Sequence, residues 1–252
     1  MLGRAGHAKR RRCAARLHAG AGAAVCLVSG SAPTQARLQK LRRAASQRQP
    51  DLTVVIQDVF DPHNLGAIAR SCDAFGVQHL HVIFENSSPF DPKTIGKNSS
   101  TATNKWLQYH SHFDSEEALR SLKKDGWQVV ATVLDAAAEP LYEADFCQPR
   151  LAVLLGNERD GLSQRALELA DRRVTIPMRG IAQSLNVSVT ASLFLYEITR
   201  QREAFCPEHL QSSAAQTEQT FEYFLEMHNH LGRRSKQQRK RRAQQRLSRK
   251  LG

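Results

Sequence analysis

Acidic residues are missing from both ends of this chain. Neither the first 50 positions nor the last 20 contain an Asp or Glu, yet they carry 11 and 10 Lys or Arg. All 24 acids lie between residues 51 and 232, beside only 15 of the 36 bases, so the middle is negative although the whole chain carries +12. A basic total spread evenly would mean little. Two basic arms on an acidic body suit a polyanion, which they would hold through counterion release along a phosphate backbone.

Long apolar runs are absent too. No stretch nears the roughly 20 residues that cross a bilayer, so no membrane span is expected. AAVCLVS (23–29) follows an arginine-rich start, but it is short, interrupted and without a compact cleavage pattern. A weak targeting segment and an upstream extension of the reading frame both fit it, and residues 1–35 are read as a disordered basic extension.

Cysteine is scarce. Cys13, Cys26, Cys72, Cys147 and Cys206 are scattered, odd in number and never spaced as CxxC. That speaks against a disulfide framework or a cysteine zinc site, and for a reducing, cytoplasmic compartment. The pairs His79/His81, His110/His112 and His228/His230 would each share a face in a strand, but no Cys or carboxylate joins them at ligand spacing. No metal is expected. The absent GxGxxG weighs against a conventional dinucleotide fold.

What is present is regular. At 252 residues the chain can bury one large α/β domain. A basic lead-in helix is read over 36–50, the main domain over 51–203, and a linker with a basic C-terminal tail over 204–252. LTVVIQDV (52–59), HLHVIF (79–84), WQVVATVL (127–134), LAVLLG (151–156) and RRVTIPM (172–178) read as strands. Helices are expected from His63 to Phe75, from the cap-like Asp114, over 163–170, and from Leu185 to about Glu203. Strands that are runs of Val, Ile and Leu need cover on both faces, which predicts a parallel sheet with helices on either side. In such sheets ligands sit at the carboxyl ends of strands, where loops 60–64, 156–161 and 178–186 would meet.

Three segments carry chemistry. In the first, Asn64 stands at a helix entrance, where capping also explains it. Arg70 follows among Ala67, Ile68, Ala69 and Ala74, a setting that asks for an anionic partner. In the second, Gly156 ends an apolar strand before Glu158; a close ligand approach and a plain turn both account for that glycine. In the third, Ser184, Asn186 and Ser188 crowd the start of an apolar helix. Capping explains one of them, and free N–H groups there can receive a ligand.

Taken together, NLGAIARSCDAFGV (64–77), LLGNERDGLS (154–163) and IPMRGIAQSLNVSVTASLFLYE (176–197) resemble the three motifs of the SpoU branch of the SPOUT RNA 2′-O-methyltransferases. Within that branch, RQPDLTVVI (48–56) and the basic tail look most like the TrmH-type tRNA guanosine enzymes. The resemblance implies S-adenosylmethionine as cofactor, a deep trefoil knot in the C-terminal half, a homodimer that completes the site, and tRNA as partner. By the same resemblance, Asn64, Arg70, Glu158, Ser184, Asn186 and Ser188 would carry the catalysis. Thr132, Gly156, Ile176, Met178 and Leu185 would line the cofactor pocket, and the target would be guanosine 18 of the D-loop. Two other readings stay open, an rRNA 2′-O-methyltransferase of the same branch and a non-catalytic RNA-binding protein on the same scaffold.

Overall fold

The structure, a computed structural model, describes residues 33–95 and 103–230. The expected disordered extension lies outside the described residues up to position 32, as do the middle of the Ser/Thr/Asn-rich 94–104 connection and the basic tail beyond 230.

Seven strands form one sheet in which every pairing is parallel: β1 (Leu52–Gln57), β2 (His79–Ile83), β3 (Gln108–His112), β4 (Gln128–Val133), β5 (Glu139–Pro140), β6 (Leu151–Leu155) and β7 (Arg172–Thr175). Their order across the sheet is β3-β2-β1-β6-β4-β7-β5. The apolar runs β1 and β6 sit side by side near the centre, with Val54 opposite Val153 and Ile56 opposite Leu155. Both are buried along their whole length, which fits their lack of alternation. β3 and the two-residue β5 at the edges are additions to the expected set. Neither is a long apolar run, so sequence pattern alone does not announce them.

Helices cover both faces. α2 (Pro62–Ala74) and α5 (Val187–Phe205) pack on one through Leu65, Ile68, Phe194 and Ile198, while α3 (Ser115–Lys124) and α4 (Gln164–Leu169) cover the other through Leu119, Leu122 and Ala166. Caps set their starts. Asp61 accepts from the His63 N–H, Asp114 from Glu117, and Ser163 from Ala166, each such cap being worth about 1 kcal/mol. Gly76 ends α2 at φ 78°, and a Cβ there would collide with the Gln47 carbonyl, so glycine is required twice over.

Residues 204–220 had been expected as a linker. Instead α5 runs to Phe205, a 3-10 turn spans Pro207–Leu210, and a further helix, α6, occupies 214–230. Phe221 and Phe224 of α6 bury against Leu41 and Ala45 of the lead-in helix α1 (Gln35–Ser46). The reason is local. Two aromatics three positions apart give a polar helix one adhesive face.

The cysteine reading also needs correction. Cys147 and Cys206, 59 positions apart, form a disulfide, because tertiary packing brings the end of α5 beside the loop before β6. Linear spacing carries no signal for such a pair. The histidine pairs of β2 and β3 meet on one face: His79 and His110 approach to 3.0 Å, His81 and His112 to 2.9 Å, and the rings of His81 and His110 stack at 4.6 Å. Among the described residues no group of three or more His, Cys, Asp or Glu is arranged to hold a metal.

Candidate active site

Parallel strands deliver their following loops to one edge of the sheet, and three of those loops interlock. The first leaves β1 at Asp58, which adopts φ 54°. Its buried carboxylate accepts the backbone N–H groups of Glu85, Asn86 and Ser87 at 2.9, 2.7 and 3.0 Å. Charge-assisted bonds of this kind offset the unusual backbone. The turn then hands over to the Asp61 cap and places Asn64 in the first turn of α2.

The second loop leaves β6 at Gly156. A Cβ at this position would collide with the backbone of Gly161 and Leu162, because the loop folds back and bridges Asn157 to Gly161. The plain-turn explanation of this glycine therefore suffices. The Asn157 side chain accepts from the N–H groups of Arg159 and Asp160 at 2.8 and 2.7 Å, which fixes the direction in which Glu158 leaves. The third loop leaves β7 and ends at Asn186, the cap of α5, whose side-chain oxygen accepts from the Ser188 N–H at 2.8 Å and its hydroxyl at 2.5 Å.

These loops join through side chains. Asn64 Nδ2 donates to Glu158 Oε1 at 2.5 Å, and Asn186 Nδ2 donates to Asn64 Oδ1 at 3.1 Å. A carboxylate only accepts, so Glu158 fixes which way the Asn64 amide faces, and Asn64 in turn fixes Asn186. The result is one polar chain, Glu158–Asn64–Asn186–Ser188, drawn from positions 94 and 122 residues apart.

Beside it lies a cavity of about 300 Å³. All five residues expected to form a cofactor pocket, Thr132, Gly156, Ile176, Met178 and Leu185, line it, and so do Glu158 and Ser184. Asn64, Asn186 and Ser188 stand outside its lining, although Leu185 and Val187 on either side of Asn186 belong to it. Arg70 likewise does not line the cavity; it is exposed on α2 together with Ala67 and Ala74, while Ile68, Ala69 and Cys72 turn inward. Its small neighbours leave its flank open to solvent; they do not enclose it in a core.

Sequence reading overlooked several cavity residues. Thr190 and Phe194 follow Asn186 at four-residue steps, so the helical repeat below the cap could have found them. Arg159 and Leu134 gave no such signal.

The sequence profile of the SpoU rRNA methylase family matches residues 51–196, which takes in all three loops. The chain belongs to the SpoU methylase family. Among its relatives is the tRNA (guanosine(18)-2′-O)-methyltransferase of Thermus thermophilus, 43% identical over 169 residues, covering 67% of this chain and 84% of that protein. The TrmH/SpoU tRNA modifying enzyme of Aquifex aeolicus superposes with a TM-score of 0.68 at 33% identity, covering 76% of this chain and 95% of that one. The SpoU methyltransferase AviRb of Streptomyces viridochromogenes, solved in complex with the cofactor AdoMet, gives 0.54 at 33% identity over 62% of this chain and 60% of its own. The likeness carried by the three motifs thus holds for the SpoU family as a whole and for its TrmH-type members in particular.

Proposed function

We propose that this chain transfers a methyl group from S-adenosylmethionine to a ribose 2′-hydroxyl of tRNA, and that the nucleotide is guanosine 18, as the names of its relatives suggest. The observation that carries the reading is the Glu158–Asn64–Asn186–Ser188 chain set against the cavity. The cavity fits the cofactor in character. Apolar Leu134, Ile176, Met178 and Leu185 suit the faces of an adenosine, Gln183, Ser184 and Thr190 can bond its polar groups, and Glu158 offers a negative group to a cation. At about 300 Å³ its size falls at the small end of ordinary ligand sites.

When bound, S-adenosylmethionine would supply an electrophilic sulfonium methyl for the ribose oxygen, with a neutral thioether as the leaving group. The chain's own work is to hold that oxygen in line. Alignment of this kind contributes on the order of 7–11 kcal/mol at best. Asn64, Ser184 and Asn186 position the ribose, and Glu158 orients the loops that carry them. Arg70 supplies a planar guanidinium. It binds the adjoining phosphate and stabilises the developing oxyanion, while a phosphate oxygen or water takes the proton.

The active form is a homodimer in this reading. Val189, Leu193 and Tyr196 are 45%, 38% and 57% exposed and share one stripe of α5, an apolar face that a second copy would cover. The place of Arg70 on the exposed side of α2 suits a site completed by that copy. The trefoil knot and RNA docking by the basic arms rest on the family resemblance and the charge distribution. No described helix is long and apolar enough to cross a membrane; a cytoplasmic placement follows the proposed tRNA substrate alone, since the Cys147–Cys206 disulfide removes the argument from the cysteines.

Tritiated S-adenosylmethionine and an unmodified tRNA transcript test the reading. Label should appear in 2′-O-methylguanosine after digestion and vanish when guanosine 18 is replaced by adenosine. Label on a base, or none, contradicts it.

A further inference from the structure

Two side chains at the rim of the site belong neither to its polar chain nor to the core. Phe60, in the loop between β1 and α2, is 39% exposed and stands outside all three apolar clusters. The Arg159 guanidinium, from the loop after β6, lies 4.8 Å from the centre of its ring. Arg159 lines the cavity, whereas Phe60 does not.

Both backbones are anchored. Phe60 lies between Asp58, pinned by three N–H groups, and the helix cap Asp61, while the Arg159 N–H donates to Asn157. The pair bridges the same two segments that the Asn64–Glu158 bond joins, with Arg159 next in sequence to Glu158 and Phe60 four positions before Asn64. An exposed cation–π contact is too weak to explain this arrangement by stability alone, because ordering an arginine side chain opposes it by a comparable amount. What the pair presents is a flat aromatic face with a planar cation beside it. That chemistry receives an unstacked nucleobase.

We propose that Phe60 and Arg159 form the subsite for the base of the nucleotide being methylated, stacking it at the rim while its ribose lies against Asn64 and Asn186. The proposal rests on the ribose-methylation reading and adds to it a place for the base. Because Phe60 lies outside the cavity, its ring should matter to RNA and not to the cofactor.

The experiment compares Phe60→Leu, Phe60→Trp and Arg159→Gln with the wild type, all in the full chain. It measures kcat and KM for tRNA, Kd for tRNA in a filter assay, and Kd for S-adenosylmethionine by calorimetry. Phe60→Leu should lower kcat/KM for tRNA about 10-fold, a modest value for loss of one stacked base, and leave the cofactor Kd within about twofold of wild type by the same reasoning. Phe60→Trp, which keeps a stacking face, should recover most of the loss, and Arg159→Gln should fall between them. Unchanged tRNA kinetics and affinity in Phe60→Leu would overturn the subsite and leave the enzymatic reading intact. A parallel loss of cofactor affinity in that variant overturns it as well, by assigning the ring to the cofactor. If the wild type binds tRNA without methylating it, the enzymatic reading fails, and tRNA affinity of the variants still judges the stacking. A wild type that neither binds nor methylates RNA refutes both.

Discussion

The two ends of the sheet treat polar residues in opposite ways. At the amino end charges are buried and paired, with Arg48 Nε left without a hydrogen bond. Arg202, with no exposed surface, donates to Asp51 at 2.7 Å and to Gln49 at 3.0 Å, and Arg48 holds Asp73 at 2.5 Å. Burial lowers the pKa of Arg202 from its ordinary value while the facing Asp51 raises it. At the carboxyl end a buried Asp58 pins one loop, but the groups of the site stay outward, with Glu158 and Asn186 exposed beside the cavity. α5 runs between the two, from its Asn186 cap to Arg202 near its end. One end is built to hold the fold together, and the other to meet something outside it.

The contrast can be broken most forcefully at the amino end. Arg202→Ala leaves the half-buried Asp51 with only its His209 contact, so the loss should fall near the low end of the about 3–5 kcal/mol that breaking a buried pair costs. Urea unfolding should show that loss, with methyl transfer per folded molecule nearly intact. The mirror experiment is Asn186→Ala. Loss of the cap removes about 1 kcal/mol of stability, whereas activity should fall roughly 100-fold if alignment depends on this amide. Equal sensitivity of stability and activity at both ends would erase the distinction.

Arg70→Lys sharpens it. Charge is kept but the planar fork is lost, so kcat should drop on the order of tenfold with thermal stability unchanged. Near-normal turnover would remove bidentate phosphate recognition from the account.

The histidine face of β2 and β3 offers a test that needs no substitution. Burial, helped by His110, holds the pKa of His79 down to about 4, and burial with His110 and His112 holds that of His81 down to about 3. The folded chain therefore keeps both neutral where the unfolded chain takes up protons. Stability should be flat above the ordinary histidine pKa near 6.5 and decline below it, by up to about 1.4 kcal/mol per pH unit for each ring. Melting temperatures between pH 8 and pH 5 measure this, and a flat profile would show that the pair titrates normally.

Much of this was legible in the sequence, for physical reasons. Buried parallel strands must be apolar throughout, so β1, β4 and β6 announced themselves, and the cap-like Asp114 marked a helix start, whereas the cap of α2 is Asp61, not the Asn64 that capping could explain. The polar crowding around Asn186 marked the site because a core-bound helix seldom begins that way. What stayed hidden depended on partners distant in sequence. The α1–α6 contact through Phe224, the Cys147–Cys206 bond, and the structural use of Arg48 within a stretch that read as an RNA-binding arm are all of this kind. The surroundings of Arg70 are another case. Its apolar neighbours in sequence are split between two faces of α2, and only the fold shows which face it shares.

A crystal structure of the protein grown with S-adenosylmethionine tests the central claim most directly. The sulfonium should lie in the cavity between Glu158 and Leu185, its methyl directed toward the edge where Asn64 and Asn186 meet. A cofactor bound anywhere else on the molecule would contradict the account.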